Sequence, residues 1–297
     1  MESPRKKNGQ RQVWLRYLLR GHRQKLRATD AGITLLECLI AIAVVGITAS
    51  LILPPLFLAT GTRVQNRRAE QAFQLAQEEI NRLQTMTANG NHQTRRLPAT
   101  ATTSGNYFNM GGGGGTVISN IAPPAGAWGN EVQSSSGACD TYNPFNPSDL
   151  DAAVDVPPAN RALRIDVDGN CQPNDSNDFY MQVFRDFGTY SDFEVGRVAD
   201  AAQRRPTVYR TVVRVYSAVA ARDWGGLLTP VVPASLQFTR GEGNQGEYPL
   251  AIMNSLITDS STADSSCATL YHTAREKGET LPNADINRCR RAVSLIP

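Results

Sequence analysis

Gly32-Ile33-Thr34-Leu35-Leu36-Glu37 leads into a run, from Ile33 to Ala59, in which one charge, Glu37, sits among 27 residues. The others are apolar, small or weakly polar, with Gly46, Pro54 and Pro55 as the only backbone irregularities. A bilayer core about 30 Å thick is crossed by about 20 helical residues, so the run is long enough to span. An unpaired carboxylate near a membrane interior costs a few kcal/mol or more, so Glu37 is expected to have a partner and a function.

Working outward, residues 1–32 carry nine Lys/Arg against Glu2 and Asp30, a net of +7 that the overall charge of +3 conceals. The remainder holds 21 Lys/Arg against 25 Asp/Glu. Basic residues beside a spanning segment stay cytoplasmic, so the segment is expected to be single-pass with everything after Ala59 exported. That topology signal accounts for the basic residues without a nucleic-acid partner. A cleaved secretory signal has an apolar core of about 7–15 residues ending in a small-residue site, and neither fits here. Residues 13–27 are compatible with a basic amphipathic helix on the inner membrane surface or with a tail read only for its charge.

Downstream, Ala69, Phe73, Ala76, Ile80 and Leu83 recur at intervals of four, three, four and three, which predicts one apolar stripe on a continuing helix. Arg67, Arg68, Glu70, Gln74, Gln77, Glu78, Glu79 and Arg82 form its expected solvated face. The helix is predicted from Ile33 to about Gln84, with a kink or local melting at Pro54-Pro55. Residues 87–160 are rich in Thr, Asn, Gly, Pro and Ser and read as a variable loop region. Within it, Gly111 to Gly115 lack the Gly-Lys-Ser/Thr and preceding strand of a phosphate loop. From Arg161, five strands are predicted, at 163–167, 179–184, 209–216, 236–239 and 250–257. The fold class is therefore α+β: a long transmembrane and amphipathic helix packed on an antiparallel β-sheet head.

Five cysteines are present. Cys38 lies in the spanning run, and Cys139, Cys171, Cys267 and Cys289 fall in the exported part, where an even number suggests two disulfides. Proximity favours Cys139–Cys171 and Cys267–Cys289, while four cysteines permit three pairings. No Cys-x-x-Cys marks a zinc site. Asp166 to Asp178 is the densest polar cluster and superficially matches a calcium loop through Asp166, Asp168 and Asn170. Its glycine is fourth rather than sixth, and Asn177 stands where a loop-closing Glu belongs, so a solvated turn pinned by Cys171 is the favoured reading. His272, near Asp264, Ser265, Ser266 and Asp285, belongs to no motif and is expected on the surface. Gly-x-Ser-x-Gly is absent, so no enzyme and no cofactor are expected.

The N-terminal pattern resembles the type IV pilin-like family of prepilins and pseudopilins. The resemblance rests on a basic leader (1–32) ending in Gly32, on Glu37 as fifth residue after it, and on Gly46 and Pro54 within the helix. It departs from the family in Ile33, where Phe is commonest, in Pro55, and in a long leader. It implies cleavage between Gly32 and Ile33 by a prepilin peptidase, and methylation of the new amine. Glu37 then attracts the terminal amine of a neighbouring subunit during assembly on an inner-membrane platform. By the same resemblance, residues 33–59 are the membrane and filament-core helix, 60–86 continue into the head, and 161–297 form a periplasmic β-rich head. Pro54 to Leu56, Ala59 to Ala72, Ala234 to Gln245 and Pro249 to Ala251 look like the minor pseudopilins of hormogonium polysaccharide secretion. That likeness rests on 32 of the 297 residues and implies a type II secretion-like machine for polysaccharide export and gliding motility. An adhesive or ligand-binding minor pilin is the alternative, and the expected partners are other pilins or pseudopilins, the peptidase, the platform and membrane lipid.

Overall fold

The computed structural model describes residues 34–102, 106–110, 115–134, 156–172, 175–235, 244–261, 264–280 and Cys289. The chain divides into two compact units, residues 1–55 and 56–297. A single helix, α1 (Leu35–Ala88), runs through the division. Pro54 and Pro55 lie inside it and remain helical, so the expected local melting is not seen. Each proline removes one backbone donor. The flanking helix tolerates this because its remaining ladder continues on both sides.

In the second unit the fold is α+β. The small strands β1 (Phe108–Asn109) and β2 (Thr116–Val117) pair in parallel. The main sheet joins β3 (Ala127–Ser134), β4 (Ala162–Asp166), β5 (Phe179–Arg185), β6 (Val208–Ser217) and β7 (Ala251–Thr258), in that spatial order. A short helix, α2 (Asp192–Arg197), follows β5, and α3 (Ser265–Lys277) follows β7. From β4 to β7 neighbouring strands are antiparallel, whereas β3 pairs parallel to β4. The sheet is therefore mixed, which corrects the all-antiparallel expectation. It also corrects the reading of 87–160 as loop throughout, because β3 arises there. The strand predicted at 236–239 lies outside the described residues, and Trp128 on β3 packs against the core.

The helical stripe that packs on the sheet is Ala72, Ala76, Ile80, Leu83 and Met86, each at most 4% exposed. Phe73, expected in the stripe, is 55% exposed, and Glu79, expected in solvent, is buried beside Arg82. Ala76, Ile80 and Leu83 are common to the expected and observed stripes; at its start Ala72 replaces Phe73, and Met86 extends it. Opposite them lie Leu163, Ile165, Met181, Val183, Val213 and Val215 in one core cluster.

The other face of the sheet is buried as well. Tyr180, Tyr216 and Leu227 form one cluster there, and Phe108, Phe184 and Val212 another. Arg214, with no exposure, donates to the carbonyls of Ile118 and Ile121 and stacks 4.8 Å from the centre of the Phe184 ring. Gln182 donates to the carbonyls of Ala122 and Ala159. Buried side-chain donors thus satisfy backbone carbonyls of loop segments that would otherwise be stranded away from water.

Candidate functional site

Three places in the chain bear on function, and the first is the start of α1. The Thr34 carbonyl accepts from the Glu37 and Cys38 N–H groups at 2.9 and 3.1 Å, and the Thr34 hydroxyl also accepts from Glu37 N–H at 3.2 Å. Thr-Leu-Leu-Glu is the Ser/Thr-x-x-Glu pattern of a helix N-terminal cap. Glu37 consequently sits in the first turn, where the helix dipole favours an anion. The cap gives a local reason for an acid at this position, beside the assembly role expected of it. Gly32 and Ile33 lie outside the described residues.

Beyond Glu37, the first unit presents apolar side chains all round the helix. Leu39, Ile40, Ile42, Val44 and Val45 are each more than half exposed, and Leu51, Ile52 and Leu53 are 47–72% exposed. At about 100° per residue these positions leave no polar face. α1 is long and apolar enough to cross a bilayer, and none of its most apolar 18-residue stretch is buried. Hydroxyls in this stretch are satisfied internally: Thr48 donates to the Val45 carbonyl at 3.0 Å and Ser50 to the Gly46 carbonyl at 2.8 Å. A side chain built at Gly46 would meet no other part of the chain.

The second place is a buried ionic group that fastens α3. His272, expected on the surface, is fully buried. Its Nε2 lies 2.9 Å from Asp186 Oδ2, and its Nδ1 lies 3.6 Å from Glu276 Oε1. Glu276 in turn receives two bonds from the Arg210 guanidinium on β6. The Asp186 side chain also accepts from the Arg210 backbone N–H at 3.0 Å. Asp186 is placed by the turn after β5, where Gly188 adopts φ +83° and any Cβ would come 2.9 Å from the Val208 carbonyl. Burial lowers the His272 pKa, but the Asp186 and Glu276 carboxylates outweigh it and push it up to about 9. Burial raises the Glu276 carboxyl, but the hydrogen bonds and charges of His272 and Arg210 hold it below the usual carboxylate range. Two cations and two carboxylates close the charge balance, which makes the group a fastener.

Cys267 on α3 is disulfide-bonded to Cys289, with Cα atoms 5.3 Å apart. Cys171 is also disulfide-bonded, and Cys139 lies outside the described residues. Cys38 is a free, exposed thiol.

The third place is the β4–β5 loop. The middle of this loop is exposed, but Asp166 and Asp178 at its ends have 0% and 1% exposure, so it is not a fully solvated turn. Asp166 accepts from the backbone N–H groups of Gly169 and Cys171 at 2.7 and 3.0 Å. Burial raises its carboxyl, yet these donors hold it below the usual range. Asp178 Oδ2 accepts from Arg164 Nε at 2.6 Å. The Asn170 carbonyl oxygen is taken by the Gln172 N–H at 2.7 Å, and its amide nitrogen donates to Asp168 and Asp175. Asn170 is therefore a brace and not a ligand. The oxygens that converge come from Asp166, Asp168 and Asp178. Asp178 is invisible to a loop-template reading because it lies thirteenth, on the edge of β5, and is brought back by the turn.

No family model, curated protein or solved structure matches the chain.

Proposed function

We propose that this chain is a pilin-like subunit: a minor pseudopilin of a type IV pilus-like, type II secretion-like machine. Its leader is cytoplasmic and its head faces the periplasm. The observation that carries the reading is the first unit of α1, apolar on every side, uncovered, and holding a single carboxylate in its first turn. A helix of that kind is at home in lipid, and it is equally at home bundled with like helices from other subunits. Cleavage after Gly32 creates an α-amine at Ile33. In a low-dielectric bundle that amine is a strong partner for the Glu37 carboxylate of an adjacent subunit, and the pair fixes register between helices. Polysaccharide export and gliding motility are the cargo and role that the segments at 54–72 and 234–251 favour.

The test is N-terminal sequencing of the protein extracted from membranes. A mature chain beginning at Ile33 is expected, and any other start removes the amine on which the mechanism relies. Gly32→Ala should leave the chain at its full mass. Glu37→Ala should be processed normally but co-purify with fewer pilin-like partners, and undiminished co-purification would refute the pairing.

A further inference from the structure

We propose that the outer edge of β7 is a docking site for a different protein, which adds an extended strand of alternating apolar residues with a basic residue beside Glu70. β7 is one border of the five-stranded sheet. Its pairing with β6 runs unbroken from Ala251 opposite Val215 to Thr258 opposite Val208. In an antiparallel pair, residues bonded to the neighbour alternate with residues whose N–H and C=O point away. The Asp259 N–H donates to the Thr207 carbonyl, while the Asp186 and Thr189 N–H groups donate to the carbonyls of Arg210 and Val208. Odd-numbered residues of β6 therefore face β7, and even-numbered ones face the β5 side. Ile252, Asn254, Leu256 and Thr258 consequently turn their backbone groups outward, and among the described residues nothing bonds to those groups.

An open edge is a template for another strand, and proteins ordinarily blunt it with proline, charge or a bulge. β3, the opposite border, is broken by its register shift and by Gly129 at positive φ. β7 reads Ala-Ile-Met-Asn-Ser-Leu-Ile-Thr, with no proline, no charge and no shift. A second feature lies beside its first residues. A groove of about 480 Å³ opens between α1 and the strand, with Ala69, Glu70, Phe73, Pro233 and Ile252 among its walls. Phe73 is 55% exposed there, although helical periodicity assigns it to the buried stripe. Edge and groove together form the two parts of strand addition: backbone groups supply affinity, and a recess for alternate side chains supplies selectivity.

The same two parts define the occupant. Only an extended chain matches outward groups repeated at every second residue, so the occupant is a strand and not a helix. A second copy of this chain does not fill the groove. On that face its β7 offers Ala251 and Ile257, which are 6% and 3% exposed because they already belong to the core under its own α1. The partner must bring apolar side chains that are uncovered. Glu70 is the one ionisable group lining the groove, and it is exposed, so it selects a Lys or Arg near one end of the incoming strand. Neither Gly32 nor Glu37 takes part, and the test is independent of the proposed function.

The experiment selects binders from random peptides of eight residues, the length of β7, on the full chain in detergent. Enriched sequences should alternate apolar and polar residues, lack internal proline and carry a Lys or Arg at one end. N-methylation of one alternate set of amides should abolish binding, while methylation of the other set is tolerated. Phe73→Ala should unfold at the parent's temperature yet bind the peptide at least about tenfold more weakly. Glu70→Gln should remove the preference for a basic end. No enrichment, enrichment without alternation, or binding indifferent to which amides are methylated overturns the proposal. Self-association of the chain that Phe73→Ala abolishes also overturns it, by assigning the edge to a second copy. So does peptide binding seen only when Leu236→Ser and Phe238→Ser are combined, because the chain's own 236–239 stretch is then the competitor for the edge.

Discussion

Residues 35–55 and 65–87 belong to one helix, yet they solve different problems. The first segment is apolar on all sides and buries nothing in its own unit. The second is polar on most sides and buries a narrow line from Ala72 to Met86. The helical backbone is indifferent to this contrast, since both segments satisfy their N–H and C=O groups internally. What differs is the medium each side-chain set requires. The first segment needs a low-dielectric surround from outside the chain, and the second finds one in its own sheet.

The sharpest way to break this contrast is to place the same substitution in both segments. Leu83→Asp buries a charge against Ile80 and the sheet and should cost more than about 4 kcal/mol, enough to unfold the head. Leu39→Asp should leave the unfolding transition of the head unchanged within about 0.5 kcal/mol while impairing membrane retention. Denaturant titration with a tryptophan signal, run beside membrane fractionation, reads both.

Next in size is the Cys267–Cys289 link, which closes a loop of 22 residues. Cys267→Ser should lower head stability by about 3 kcal/mol, observed as a lower denaturant midpoint.

The His272 group gives a pH signature that the first segment of α1 cannot give. The folded pKa is about 9, above the ordinary value of 6.5, so protonated His272 contributes stability in full below pH 6.5. That contribution falls as pH rises through about 9. Between pH 6 and pH 10 the head should lose roughly 2–3 kcal/mol through this group. His272→Gln should flatten the profile, and an equal slope in that variant would assign the effect elsewhere. The smallest effect belongs to Phe73→Ala: the ring is 55% exposed, so head stability should change by less than about 0.5 kcal/mol.

The parts of the fold that were legible in the sequence are those where periodicity and burial coincide. α1 and the strands β4 to β7 follow hydrophobic patterns that pure burial dictates, and their bounds differ from the predicted ones by a few residues. β3 escaped because half of Ala127 to Ser134 is polar, Gly129 sits at φ +56°, and the register shifts between Ala127 and Val132. α3 escaped for another reason. Its inward face carries Ala268, His272 and Glu276 at intervals of four, a helical spacing filled by charge instead of hydrocarbon. Hydropathy cannot find such a face, because the partners that neutralise it, Asp186 and Arg210, are remote in sequence. The same limit applied at the β4–β5 loop, where a linear template offers Asn170 and the folded loop offers Asp178.

The tether between Cys267 and Cys289 makes α3 sensitive to the compartment in which the chain resides. Where glutathione keeps thiols apart, α3 would lack that tether and be held by the His272 group and by the packing of Ala268 and Tyr271 near Val208 and Leu256. An oxidising compartment would therefore close a clasp on α3 that a reducing one leaves open.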